Sequence, residues 1–128
     1  MRVLLDTHAL LWWLNDHAAL SNPARKAIAR EENEVLVSAA SAWEIATKVR
    51  LGKLPTGADL ARDFVAYLDR QRFGQLAVTV EHAVRAGLLE GKHRDPFDRM
   101  LLAQAQAENV PLVSNDPALD GYGVKRIW

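Results

Sequence analysis

Apolar residues fall along the chain in two alternating rhythms. Short unbroken apolar runs read as buried strands: "RVLLD" (2–6), "EVLVS" (34–38), "QLAVTV" (75–80) and "PLVSND" (111–116), with "VKRIW" (124–128) as a fifth at an edge. Between them the spacing turns helical. "THALLWWLN" (7–15) repeats leucine at Leu10, Leu11 and Leu14, and "SNPARKAIAREE" (21–32) places Ser21 and Asn22 as caps before Pro23. "SAWEIATKVRLGK" (41–53) opens on the capping-box pattern Ser41–Glu44, pairs Glu44 with Lys48 at i, i+4, and closes at Gly52. "ADLARDFVAYLDRQ" (58–71) carries an apolar stripe through Leu60, Phe64, Val65 and Leu68, and "EHAVRAGLLEG" (81–91) continues the alternation. The clearest helix is "PFDRMLLAQAQAEN" (96–109), rich in Ala, Leu and Gln.

Short continuous apolar strands separated by helices indicate a parallel sheet covered on both faces, joined by right-handed crossovers. The expected fold class is therefore α/β: a three-layer α/β/α sandwich around a central parallel sheet of four to five short strands. No repeat, low-complexity tract or Pro/Gly-rich linker interrupts residues 1–128, so one domain is expected. In open parallel sheets, ligands gather beyond the carboxyl ends of the strands.

Composition narrows the chemistry. The 128 residues are 49% hydrophobic and 25% charged, as in a soluble globular protein. Lys plus Arg equals Asp plus Glu at 16 each, which excludes a strongly basic nucleic-acid-coating protein but leaves local patches open. No cysteine is present, so disulfides and thiolate metal sites are excluded and a reducing cytoplasm is the expected location. "ALLWWLND" is too short for a membrane span.

Four acids stand out by position. Asp6 ends the first strand, Glu44 follows the second, Asp98 lies in the first turn of the 96–109 helix, and Asp116 follows the fourth strand. Each has a local explanation: Asp6 as a cap, Glu44 in a capping box, Asp95 as N-cap before Pro96 with Asp98 favoured by the helix dipole, Asp116 as a cap before Pro117. Their grouping asks for more. If the 96–109 helix begins beside Asp6, the carboxylates share one crevice, and two of them about 4 Å apart repel by roughly 4 kcal/mol at an effective dielectric near 20. Such a cluster wants a cation or a shared proton. Hard oxygen donors without His or Cys at metal spacing suit Mg²⁺ or Mn²⁺ rather than zinc, and serve hydrolysis of phosphate diesters.

The segments "LLDTHALLWWL" (4–14), "SAASAWEIATKVRLGKL" (38–54), "HRDPFDRMLLAQAQ" (93–106) and "LVSND" (112–116) resemble, in order and over nearly the whole length, the PIN-domain ribonucleases, and among them the VapC-like toxins of bacterial toxin–antitoxin pairs. The resemblance implies an α/β/α sandwich that cleaves RNA with Mg²⁺ or Mn²⁺. It places the catalytic and metal-binding acids on Asp6, Glu44 and Asp98, with Asp116 as the more variable fourth and Asp95 as a further candidate in "DPFD". Ser114, two residues before Asp116, falls where the family often has a hydroxyl that hydrogen-bonds a ligand carboxylate. Expected partners are RNA, a cognate antitoxin protein and a second copy of the chain.

Around the acids, Lys48, Arg50, Lys53, Lys92, Arg94 and Arg99 are candidates to hold the RNA backbone, with Lys48, Arg99 and Ser114 nearest the acids in sequence. His8, His17, His82 and His93 are widely separated and read as structural, although His93 lies close enough to the acids to contact phosphate. Trp12 and Trp13 are adjacent and cannot both face inward on one helix, which favours a partner surface there; Trp43 and Trp128 read as core or interface. Two other classes fit less well. A haloacid-dehalogenase-like phosphotransferase wants an aspartate two residues after Asp6, where His8 stands. A non-enzymatic α/β interaction module, whose acids only cap helices, accounts for each acid singly but not for their grouping.

Overall fold

The computed structural model describes residues 1–128. In chain order it comprises β1 (Arg2–Leu5), α1 (Thr7–Leu14), α2 (Asn22–Ala29), β2 (Glu34–Ser38), α3 (Ala39–Arg50), a 3₁₀ turn (Pro55–Gly57), α4 (Ala58–Arg62), α5 (Phe64–Gln71), β3 (Gly74–Leu76), α6 (Val80–Leu88), α7 (Pro96–Glu108), β4 (Leu112–Val113), a second 3₁₀ turn (Pro117–Leu119) and β5 (Arg126–Ile127). All four strand pairings are parallel, in the order β3-β2-β1-β4-β5. The expected α/β sandwich is what forms.

Alternation along the strands divides the core. Val3, Leu5, Val35, Val37 and Val113 face a layer built from α1 to α5 through Leu10, Ile28, Ile45, Leu60 and Leu68. Leu4, Leu36 and Leu112 face the opposite layer, where α7 contributes Leu101, Leu102 and Ala105. The chain winds outward from β1 to β2 to β3 with its helices on one face. It then crosses back over the sheet through α6 and α7 to β4 on the other side of β1. Right-handed crossovers in opposite directions put their helices on opposite faces. The reversal makes a topological switch point between β1 and β4, and a crevice at the carboxyl ends of those two strands.

Several elements differ from the sequence expectation. The strands expected at 75–80 and 111–116 shrink to Gly74–Leu76 and Leu112–Val113; the first is cut short because Thr79 caps α6 and Val80 already opens that helix. The helix expected at 58–71 breaks at Asp63 (φ −131°, ψ 45°). This break lets Leu60 and the Tyr67–Leu68 pair both reach the core while Val65 points to solvent. Trp12 and Trp13 are both half-buried and both pack against aromatic rings of the same chain. Trp12 stacks on His17 and meets Trp128, whereas Trp13 donates Nε1–H to Gln71 at 3.0 Å and packs against Phe73. The exposed tryptophan is Trp43, at 68%. No helix is long and apolar enough to cross a membrane.

Candidate metal centre

Asp6 leaves β1 directly into α1. Its Oδ1 accepts the Ala9 N–H at 2.7 Å, so it caps the helix and points into the switch-point crevice. It is only 5% exposed. Burial pushes its carboxyl up from 3.8 to about 6, against hydrogen bonds from Ser114 and the Ala9 backbone that pull it down. Ser114, the residue after β4, is fully buried. It accepts the Asp116 N–H at 3.1 Å while donating to Asp6, so one hydroxyl ties the two strand ends together. Ser114 thus hydrogen-bonds a candidate ligand carboxylate, as the sequence led one to expect, whereas the substrate contact also expected of it does not fit a side chain with no exposed surface.

Asp98 reaches the same crevice because α7 runs antiparallel to the strand it precedes, which brings its N-terminus to the strands' carboxyl ends. Asp95 starts that helix, its Oδ1 accepting from the N–H groups of Phe97 (2.9 Å) and Asp98 (3.2 Å). Asp98 Oδ2 lies 2.8 Å from His93 Nε2. Burial raises the Asp98 carboxyl above its ordinary value, the His93 hydrogen bond lowers it, and nearby Asp95 raises it again. Asp116 opens the second 3₁₀ turn, its Oδ1 accepting the Ala118 N–H at 2.9 Å. Asp6, Asp98 and Asp116 thus line one polar depression together with His8, Asn115 and Pro117.

Glu44 is placed differently. The helix that carries it begins at Ala39 with Ser38 as N-cap, accepting from Ala40 N–H at 3.0 Å, so the Ser41–Glu44 capping box does not form. Both residues lie inside α3 and are buried, Glu44 at 5% exposure. Glu44 Oε1 accepts from Thr7 Oγ1 at 2.6 Å, and its Oε2 pairs with Lys48 Nζ at 2.5 Å. Thr7 Oγ1 also lies 3.2 Å from Ser41 Oγ. Glu44 therefore stands beside the depression, near enough to raise the Asp98 carboxyl, with both oxygens engaged. The same hydrogen bond raises the Lys48 ammonium above its ordinary value, so Lys48 anchors Glu44.

Arg99 requires a second correction. Its guanidinium donates to the carbonyls of Ala86 (2.9 and 3.2 Å), His93 (2.9 Å) and Leu89. Those contacts staple the α6–α7 loop and leave little for a phosphate. Free cationic groups on that loop are Lys92 and Arg94, both exposed beside it.

His93, expected at most to contact phosphate, is a member of the cluster itself. One of its ring nitrogens and carboxylate oxygens of Asp98 and Asp116 lie within 4.8 Å of one another. Two carboxylates and an imidazole around a partly buried depression form a donor set fit for a divalent cation. The available signal was the placement of His93 five residues before Asp98, in the loop leading to a capped helix.

The PIN domain family model matches residues 3–125. Among curated proteins, Ribonuclease VapC16 of Mycobacterium tuberculosis is 44% identical over 64 residues, covering 48% of this chain and 43% of that protein. The chain thus matches less than half the length of that relative. Among solved structures, VapBC2 from Rickettsia felis, bound to a DNA fragment from their promoter, superposes with a TM-score of 0.71 over 100% of both chains. At 17% identity that likeness speaks for the fold.

Proposed function

The chain belongs to the PIN domain family, and from that premise we propose that it is a metal-dependent endoribonuclease acting as the toxin of a toxin–antitoxin pair in the cytoplasm. The observation that carries the reading is the convergence of Asp6, Asp98 and Asp116 on one polar depression at the β1/β4 switch point. Caps alone require no convergence, and a helix start is equally satisfied wherever it lies. Burial of Asp6 with its carboxyl lifted to about 6 marks a site short of positive charge.

Asp6, Asp98 and Asp116 would hold Mg²⁺ or Mn²⁺. When bound there, the cation supplies positive charge that polarises water and neutralises the phosphate. The protein's own groups do the positioning. Ser114 and the Ala9 N–H fix Asp6, while Thr7 and Lys48 fix Glu44 as a nearby negative charge. Asp116 uses Oδ1 for its cap and would offer Oδ2 to the cation or to a water held there. Lys92 and Arg94 would track the RNA backbone from the loop above. Water as nucleophile needs no covalent enzyme intermediate and no 2′-hydroxyl, so the products would carry no 2′,3′-cyclic phosphate.

The protein partners in this reading are an antitoxin and a second copy of the chain. Their support is apolar surface: Trp43, and a stripe on α6 formed by Val80, Val84 and Leu88 at four-residue spacing, all exposed. The functional test is to express the chain without a partner and sequence the RNA ends that accumulate. Discrete new ends bearing no cyclic phosphate are expected; unchanged RNA, or cyclic phosphate ends, would overturn the reading.

A further inference from the structure

We propose that His93 supplies an imidazole nitrogen to the cation site, so that the site prefers Mn²⁺ to Mg²⁺. The proposal rests on the reading of Asp6, Asp98 and Asp116 as a cation site and adds a donor that an all-carboxylate set lacks. Its geometric basis is the cluster in which a ring nitrogen of His93 and carboxylate oxygens of Asp98 and Asp116 lie within 4.8 Å of one another. A single cation can span donors at that separation.

The ring is held in place rather than free to swing. Its side chain is 17% exposed, and its own backbone is anchored twice. The His93 N–H donates to Tyr122 Oη at 3.3 Å, and the His93 carbonyl accepts from Arg99 Nη1 at 2.9 Å. Gly91 lets the loop close against Tyr122, with φ +132° and no room for a β-carbon against the Tyr122 ring. Arg99 and Tyr122 thus aim a loop residue at the crevice from two sides. Without a cation, Nε2 and Asp98 Oδ2 share a hydrogen bond at 2.8 Å. With the ring proton on Nδ1, the Nε2 lone pair faces the same space.

Donor chemistry then sets the selectivity. Mg²⁺ takes oxygen ligands in near-ideal octahedra and gives up its waters reluctantly. First-row transition ions accept imidazole nitrogen more readily, with affinity for N/O sites rising from Mn²⁺ along the series. A site of two or three carboxylates plus one imidazole therefore tilts toward Mn²⁺.

The test uses the full chain and the metal alone. Pulsed EPR of bound Mn²⁺ should show nitrogen modulation from a coordinated imidazole, changing character when histidine ring nitrogens are labelled with ¹⁵N. In His93→Gln the modulation should vanish, and calorimetric titration should show Mn²⁺ affinity falling by about tenfold or more while Mg²⁺ affinity changes little. Bound Mn²⁺ without nitrogen modulation in the parent chain overturns the proposal and leaves the carboxylate site standing; His93 would then only orient Asp98. Modulation that survives in His93→Gln but disappears in His8→Gln, the other histidine lining the depression, also overturns it. Failure of the parent chain to bind either ion overturns the carboxylate site itself.

Discussion

Thr7 Oγ1 and Glu44 Oε1 lie 2.6 Å apart, joining the first residue of α1 to the second turn of α3. Through this bond the residue after Asp6 sets the position of the other buried acid. Thr7→Val keeps the shape and removes the donor. It should destabilise the chain by about 1–3 kcal/mol, the usual cost of leaving a buried acceptor unpaired. Thr7→Ser should restore most of that loss. Urea unfolding of the two variants checks the stability effect, and RNA cleavage should fall in the same order.

Asp6 ties acidity to stability. Its carboxyl is raised from 3.8 to about 6, so the folded chain binds this proton more tightly than the unfolded chain does. The associated stabilisation is complete below pH 3.8 and is lost as the pH rises through about 6. At 1.36 kcal/mol per pKa unit, about 3 kcal/mol has gone by pH 7. Asp6→Asn keeps a capping acceptor and cannot ionise. Without added cation the variant should therefore be more stable than the parent at pH 7, by up to about 3 kcal/mol, and the two should converge near pH 4. Unfolding in a chelator at both pH values measures this. A variant less stable than the parent at pH 7 would mean that the ionised carboxylate is well satisfied without a cation.

Arg99 is a structural staple, and its replacement should look like one. Arg99→Met retains the apolar stem but frees the carbonyls of Ala86, Leu89 and His93. Stability should drop by about 2–3 kcal/mol, in the range for hydrogen bonds to charged groups, with faster amide exchange across residues 89–95. A phosphate-binding role predicts the opposite signature: unchanged stability and weakened, salt-sensitive RNA binding.

Two glycines separate close approach from mere flexibility. A β-carbon at Gly91 would collide with Tyr122 and take up φ +132°, whereas one at Gly87, inside α6, meets nothing. Gly91→Ala should cost about 1–3 kcal/mol, and Gly87→Ala should be neutral or stabilising by about 0.5–1 kcal/mol. Thermal melts of the pair read the difference.

Much of this fold was legible in the chain because its signals are local. Leu4 and Leu36 flanked by valine or leucine in short runs mark strands buried on both faces, and Asp95–Pro96 marks the start of α7 within the capping residue itself. What was not legible depends on tertiary choice. Ser38 and Ser41 both offer a hydroxyl to a helix start, and the earlier one wins because α3 begins directly where β2 ends. That single turn moves Glu44 from a capping box into a buried pair with Thr7 and Lys48. The break at Asp63 is invisible to a periodicity that runs smoothly through 58–71. Of the candidate site, three aspartates were placed by strand ends and one helix start. His93 joins them only because a loop folds back onto Arg99 and Tyr122, a contact with no periodic signature.

The central claim is that Asp6 and Asp98 act as cation ligands for RNA hydrolysis, rather than only as the cap of α1 and a first-turn acid of α7. Asn caps helices about as well as Asp, so Asp6→Asn keeps the cap and removes the charge, and Asp98→Asn leaves the Asp95 cap of α7 untouched. Cleavage of total RNA by purified chains, with Mn²⁺ or Mg²⁺ present, is the most direct measurement. The parent should cut and both folded variants should not, with cleavage reduced by at least about a hundredfold, on the order of the rate carried by a general acid–base or metal-ligand carboxylate. Folded variants that still cut at the parent's rate would contradict the account.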